Sequence, residues 1–270
     1  MTVTIRDDLG GVVELEGPVR RVVSLVPSLT AALVDLGKKE VVVGRTSFCP
    51  GREAFGDRLD SIEEVGGTKT PRVDRVVSLR PDLVLAVKEE NVREHVEELR
   101  RQGVAVLVFD PGSLEDLPRM IETLGRLCCA EPGARKMAAD LETARAEAAA
   151  TSRRHGVIPA AYFIWKDPWM VAGRDTYIGS VLSACGLENP FPGRYPEVTP
   201  EEAARLGAKL ILLSSEPFLF TEEHARLVRA KLGGDSRVEV CRGDLVGWYP
   251  SRTAAALRHL ATLADPGRPR

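Results

Sequence analysis

The sequence predicts an α/β protein: two similar Rossmann-like lobes joined by one long rigid helix, with a ligand cleft between the lobes. Three observations predict it. Short apolar runs alternate with amphipathic stretches along nearly the whole chain, the pattern of parallel sheet crossed by helices. The pattern occurs twice: Arg72 to Leu85 reads helix, turn, strand, and so does Pro200 to Leu212. Between the two copies lies an alanine-dense stretch, Glu131 to Arg154. At 270 residues the chain has room for two compact units. The expected bounds are an N-terminal lobe at 1–130, a linker helix at 131–155 and a C-terminal lobe at 156–270.

Thr2 to Ile5 and Val12 to Leu15 alternate apolar and polar residues around Asp7-Asp8-Leu9-Gly10-Gly11, which reads as a β-hairpin with a Gly-containing turn. Val22 to Val26 is a buried-strand run. Ser28 is placed to cap a helix through Val34 that stops at Gly37. Strands follow at Val41 to Val43, Asp82 to Val87 and Val104 to Phe109, with helices at Pro71 to Leu79, Asn91 to Arg101 and Ser113 to Leu127. In the linker, Met137, Leu141, Ala144 and Ala148 form one narrow apolar stripe. That is a helix of about 24 residues, about 36 Å long. Beyond it, Ala160 to Ile164, Lys209 to Leu213 and Arg237 to Cys241 are strands. Asp175 to Cys185, Pro200 to Leu206, Glu222 to Lys231 and Ser251 to Leu263 are helices.

Composition excludes several functions. Hydrophobic residues are 44% and charged residues 28%, with a net charge of -2. The first 130 residues carry -4 and the rest +2. Neither half supplies the basic field that nucleic acid requires. No uncharged apolar run is long enough to span a bilayer. The opening residues carry acids where a signal peptide has an apolar core, so the sequence as given reads as cytoplasmic. A mature exported protein with its leader replaced by Met1 reads the same, and its place is then periplasmic or extracellular. The five cysteines, Cys49, Cys128, Cys129, Cys185 and Cys241, form no CxxC and read as small buried thiols. No dinucleotide or P-loop glycine motif, nucleophile elbow or zinc motif occurs. His95, His155, His224 and His259 lie outside metal-ligand spacing of one another, so no metal site and no resident cofactor are expected.

The aromatic residues are few, 5% of the chain, and all three tryptophans fall in the second half. Trp165 and Trp169 follow a predicted strand, and Trp248 and Tyr249 lie between a strand and a helix. Loops at the carboxyl ends of strands face the ligand crevice of open α/β sheets, and rings there give broad apolar contact. The competing expectation is that these rings pack locally under loops; it holds best for Tyr162 and Phe163, which alternate on a strand. Lys88, Arg174 and Arg252 are the cations placed to add polar contacts, with Asp244 as a candidate partner for Arg252.

Arg21-Val22-Val23-Ser24-Leu25-Val26-Pro27-Ser28-Leu29-Thr30 resembles the opening strand and helix of the helical-backbone substrate-binding proteins. These serve ABC importers of cobalamin, ferric siderophores and haem. Leu79-Arg80-Pro81-Asp82-Leu83-Val84 and Val198-Thr199-Pro200-Glu201 continue the likeness, which runs from about residue 2 to 264 and is greatest to the cobalamin-binding branch. The resemblance implies a non-catalytic binder of a small-molecule metal chelate, a cobalamin-like corrinoid first. Ferric siderophore or haem is the alternative ligand, and an enzyme acting on a small anion the alternative of another class. It implies ligand contacts at Pro27, Phe48 and Tyr195 beside the rings and cations above. It implies docking of Asp74 and Glu201 onto an ABC permease, and a monomer. Lys88-Glu89-Glu90-Asn91 carries charge where cobalamin binders of this group place an aromatic, and Gly66-Gly67-Thr68 likewise lacks a ring.

Overall fold

A computed structural model describes residues 2–234 and 236–265. Among these the chain forms two compact units. One holds the chain through Pro111 together with Leu117–Ala138 and Trp248–Ser251. The other holds Gly112–Asp116, Ala139–Gly247 and the chain from Arg252 onward.

The first unit opens with the expected hairpin, β1 (Thr2–Arg6) and β2 (Val12–Glu16), paired antiparallel. The Asp7 carboxylate shapes the turn by accepting from the N–H groups of Leu9 and Gly11, at 3.0 and 2.6 Å. The sheet contains β3 (Val22–Ser24), β4 (Val42–Arg45), β5 (Glu63–Glu64), β6 (Leu83–Val87) and β7 (Val106–Phe109). Its order is β5-β4-β3-β6-β7, all parallel. The intervening helices are α1 (Pro27–Asp35), α2 (Arg52–Phe55), α3 (Val73–Ser78), α4 (Arg93–Arg101) and α5 (Leu117–Leu127). Every residue of β6 and β7 is buried, as unbroken apolar strands covered on both faces must be. The hairpin closes the outer edge of β7: Asp8 N–H donates to Val108 O at 3.1 Å, and buried Asp7 pairs with Arg100 at 2.5 Å.

The second unit has β8 (Ile158–Trp165), β9 (Met170–Val171), β10 (Leu187–Glu188), β11 (Leu210–Ser214) and β12 (Arg237–Cys241). Parallel order is β10-β8-β11-β12, and β9 folds back antiparallel on β8. The long helix α6 (Glu131–His155) has its first turns in the first unit and the remainder in the second. The other helices are α7 (Tyr177–Ala184), α8 (Pro200–Arg205), α9 (Glu222–Leu232), α10 (Gly243–Gly247) and α11 (Thr253–Leu263). Leu141, Ala144 and Ala148 of the expected stripe are buried, Met137 is half-buried, and Ala134 joins them. α5 approaches α6 so closely that a side chain at Gly125 meets Ala134 Cβ at 2.5 Å. Farther along, Arg258 of α11 grips α6 through Asp140 and Glu147, each at 2.7 Å.

Three local expectations are corrected. α1 starts at Pro27, whose fixed φ suits the first helical position, so Ser28 lies inside the helix and is not its cap. Thr176 caps α7, accepting from Gly179 N–H at 3.0 Å, so that helix begins two residues after Asp175. Arg252 precedes α11 as its N-cap residue and does not occupy the first turn. The short elements α2, β5, β9, β10 and α10 are additional to those expected from the sequence.

Burial pushes the thiols of Cys128, Cys185 and Cys241 up to about 12 and raises Cys49, against hydrogen bonds from Thr30 and Thr46 that oppose it. Cys129 is exposed. In the folded state the buried thiols hold their protons above pH 9, where unfolded thiols lose them. Stability is therefore full below that pH and falls as pH rises, by up to about 1.4 kcal/mol per pH unit for each such thiol. Urea unfolding midpoints measured from pH 7.5 to 10.5 will drop steeply above about 9. A thiol reagent at pH 8 will label Cys129 quickly and the other four only on unfolding.

Candidate functional site

Both sheets start at an inner strand and grow outward in both directions, which separates the loops at one point on each carboxyl edge. Such switch points are where open α/β sheets bind ligands. In the first unit the point lies between β3 and β6, and Asn91 occupies it. Its Oδ1 accepts from Val87 N–H at 2.8 Å; its Nδ2 donates to Leu25 O at 3.1 Å and Thr68 O at 2.9 Å. One buried amide thus ties the ends of two strands to the 66–70 loop. The same edge carries Pro27, Phe48 and Lys88. Pro27 is buried at the start of α1. Phe48 is 65% exposed, with its ring beside Gly67: a Cβ there would touch Phe48 Cε2 at 3.4 Å. Lys88 is paired with Asp110 at 2.5 Å, so the cation expected to meet ligand already has a carboxylate. Trp248 is half-buried and Tyr249 is 7% exposed, both within this unit. Tyr249 is therefore not the open wall the sequence suggested.

In the second unit Trp165 ends β8, 41% exposed, its ring edge-on to Phe218 at 5.9 Å. Trp169 does not join it. The turn into β9 carries Trp169 back onto the core, where it meets Phe163 edge-on and stacks on Phe220, each at 5.5 Å. Phe218 lies 4.6 Å from Phe220, and His224 meets both rings edge-on. Tyr162 and Phe163 are buried, in line with local packing. Tyr195 is 40% exposed, with the Arg194 guanidinium 5.9 Å from its ring centre. Its loop is pinned by Gly173 N–H to Arg194 O at 2.7 Å and Gly193 N–H to Asp175 Oδ2 at 2.8 Å. The approach excludes any side chain at Gly173, whose Cβ would lie 2.2 Å from Gly193 O.

The cations of this unit divide. Arg174 is exposed and pairs with no carboxylate among the described residues. Arg252 is half-buried. Asp244 takes its main hydrogen bonds from Arg242, at 2.5 and 3.1 Å, which hold its carboxyl below the usual range; the charge of Arg252 adds a smaller part. Arg242 is thus a partner of Asp244 that the sequence reading did not name. Asp74 and Glu201 are the second residues of α3 and α8, equivalent places in the two repeats. Asp74 is exposed; Glu201 is 3.5 Å from Lys231. Among the described residues no group of three or more His, Cys, Asp or Glu is arranged to hold a metal ion, and no helix is long and apolar enough to cross a membrane.

A family model described as periplasmic binding protein matches residues 22–226. The chain belongs to this family. Among its relatives, the vitamin B12-binding protein of Vibrio parahaemolyticus is 28% identical over 216 residues, covering 77% of this chain and 72% of the relative. Two solved structures share the fold of this periplasmic binding protein, each with a TM-score of 0.76. The periplasmic vitamin B12 binding protein BtuF of Vibrio cholerae is 21% identical and covers 92% of this chain and 97% of its own. A periplasmic heme binding protein from Pseudomonas aeruginosa is 22% identical and covers 92% and 94%.

Sequence reasoning passed over Asn91, Lys69, Arg194 and Arg242. The signal for Asn91 was present: an amide four residues beyond a buried strand, just before a helix. Replacing it by alanine leaves a buried N–H and two carbonyls without partners. Asn91→Ala will lower stability by about 2–4 kcal/mol in urea unfolding. Lys88→Met, which breaks an exposed pair, will cost less than about 1 kcal/mol.

Proposed function

We propose that this periplasmic binding protein binds a cobalamin-like corrinoid without transforming it, as the substrate-binding component of an ABC importer. The observation that carries the reading is the placement of exposed rings: Phe48 on the carboxyl edge of one sheet, Trp165 at the end of β8 and Tyr195 on a loop at the carboxyl edge of the other. An exposed ring loses favourable burial in the free protein and recovers it against a flat apolar ligand. The vitamin B12-binding relatives support a corrinoid as that ligand. Trp248 would add half-buried apolar surface, and Arg174 and Arg252 polar contacts. Trp169, Tyr249, Pro27 and Lys88 would act behind these, by supporting or neutralising them.

Delivery to a permease gives Asp74 and Glu201 their role. Each would meet a basic group of the partner from the first turn of a helix, and one chain acting as a monomer offers both. In this reading the protein works outside the cytoplasmic membrane, where the family takes its name.

Cobalamin titrated into the protein will quench tryptophan fluorescence with saturation below about ten micromolar, an affinity that tens of buried ligand atoms supply easily. Trp165→Ala and Phe48→Ala will each weaken binding by about ten-fold. A folded protein that shows no quenching at tens of micromolar cobalamin, yet gives a saturable Soret shift with haem, would transfer the reading to haem. Recovery of chemically altered corrinoid after incubation would point to an enzyme.

A further inference from the structure

We propose that Lys69 sets a charge preference on the ligand face of the first unit, meeting an anionic group carried by an otherwise apolar chelate. The inference rests on the corrinoid reading above and names the part of the ligand that this residue recognises. Two lysines lie on this edge, and the structure separates them. Lys88 has its charge matched by Asp110 at 2.5 Å. Lys69 donates to a neutral acceptor, the Glu89 carbonyl, at 2.6 Å. An ammonium has three N–H groups, so two remain for a ligand. Glu89 and Glu90 also follow on this edge and carry interactions of their own.

Position matters as much as charge. The 66–70 loop is fixed at several points. Ser47 N–H donates to Gly66 O at 3.0 Å, Arg72 N–H to Val65 O at 2.7 Å, and Asn91 Nδ2 to Thr68 O at 2.9 Å. Gly66 has φ +100, and a side chain there would lie 2.6 Å from Thr70 O, so the turn admits only glycine. Phe48 lies against Gly67, two residues before Lys69. An apolar ring and a cation therefore lie at one fixed turn, so its backbone adds little ordering entropy on binding. A ligand matching both has a flat apolar body and a pendant anion. A cobalamin carries such an anion, the phosphodiester of its nucleotide loop. Cobinamide has the same corrin and lacks the phosphate.

The test is a cycle of two ligands and two protein forms, read as dissociation constants at low ionic strength. Lys69→Gln is expected to weaken cobalamin about three- to five-fold, the upper scale of one exposed charge contact, and cobinamide by less than about two-fold. Lys69→Arg should restore most of the cobalamin affinity, and about 0.5 M NaCl should erase the difference between ligands. Lys136→Gln, which removes an exposed charge from α6, should leave both ligands unchanged. Wild-type binding of both corrinoids with equal weakening of both by Lys69→Gln, or with none, overturns this inference alone. A wild-type protein that binds neither corrinoid overturns the corrinoid reading and this inference with it.

Discussion

Parallel pairing governs this molecule. A strand that must be followed by another in the same direction sends the chain over the sheet, and the covering helices bury both of its faces. Side chains on β6, β7 and β11 are then committed to the core, and only the strand ends remain for chemistry. At the switch point the departing loops diverge, leaving backbone groups without neighbours. Asn91 supplies them from a single side chain, with one acceptor and two donors used. That amide is one of several ties that hold the 66–70 loop, beside which the Phe48 ring lies. A residue that touches no ligand in the proposed function thereby helps to fix where the contact surface lies.

The second unit also builds its parallel sheet outward from its first strand, with one strand fewer in the parallel order and different contents at its edge. β8 is eight residues long, and its end pairs with β9 in an antiparallel return. That return brings the rings into a graded stack: Phe163 in the core, then Trp169, Phe220, Phe218 and finally the exposed Trp165. Each inner ring contributes about 1.5–3 kcal/mol by its burial, and the outermost is held in place by the others. Rigid presentation of Trp165 is the consequence, since its neighbour Phe218 is itself fixed by Phe220.

Much of this was legible in the sequence because period and burial are local signals. The apolar runs at Val22, Leu83, Val106 and Leu210 appear as strands, and the 24-residue helix expected from one alanine stripe is 25 residues long. The two-fold repeat of helix, turn and strand was visible for the same reason. Side-chain destinations were less legible. Trp169 follows a strand, as a ligand wall would, yet a two-residue strand that no periodicity announces turns it inward. Asp244 reads as a candidate partner for Arg252 from the cost of a cation at a helix start, and that reading misses Arg242, two residues before Asp244, which supplies the hydrogen bonds to this carboxylate. Asn91 was read as the start of a helix, because its three partners lie as far as 66 residues away.

The charges follow the same edge. Lys88–Asp110, Lys166–Asp167 and Arg242–Asp244 pair at 2.5 to 2.7 Å close to the strand ends. Exposed pairs add little to stability. What they do is cancel fields locally, so the strand ends where these pairs lie are polar without a dominant sign of charge. Asp74 and Glu201 are placed by topology. Each begins a helix that crosses from the carboxyl end of one parallel strand back to the start of the next, β5 to β6 in one unit and β10 to β11 in the other. A helix starting there has its N-terminus on the carboxyl edge, where its dipole favours an acid. In each unit, then, the acid and the rings occupy the same edge of the sheet for one reason, the direction of the strands.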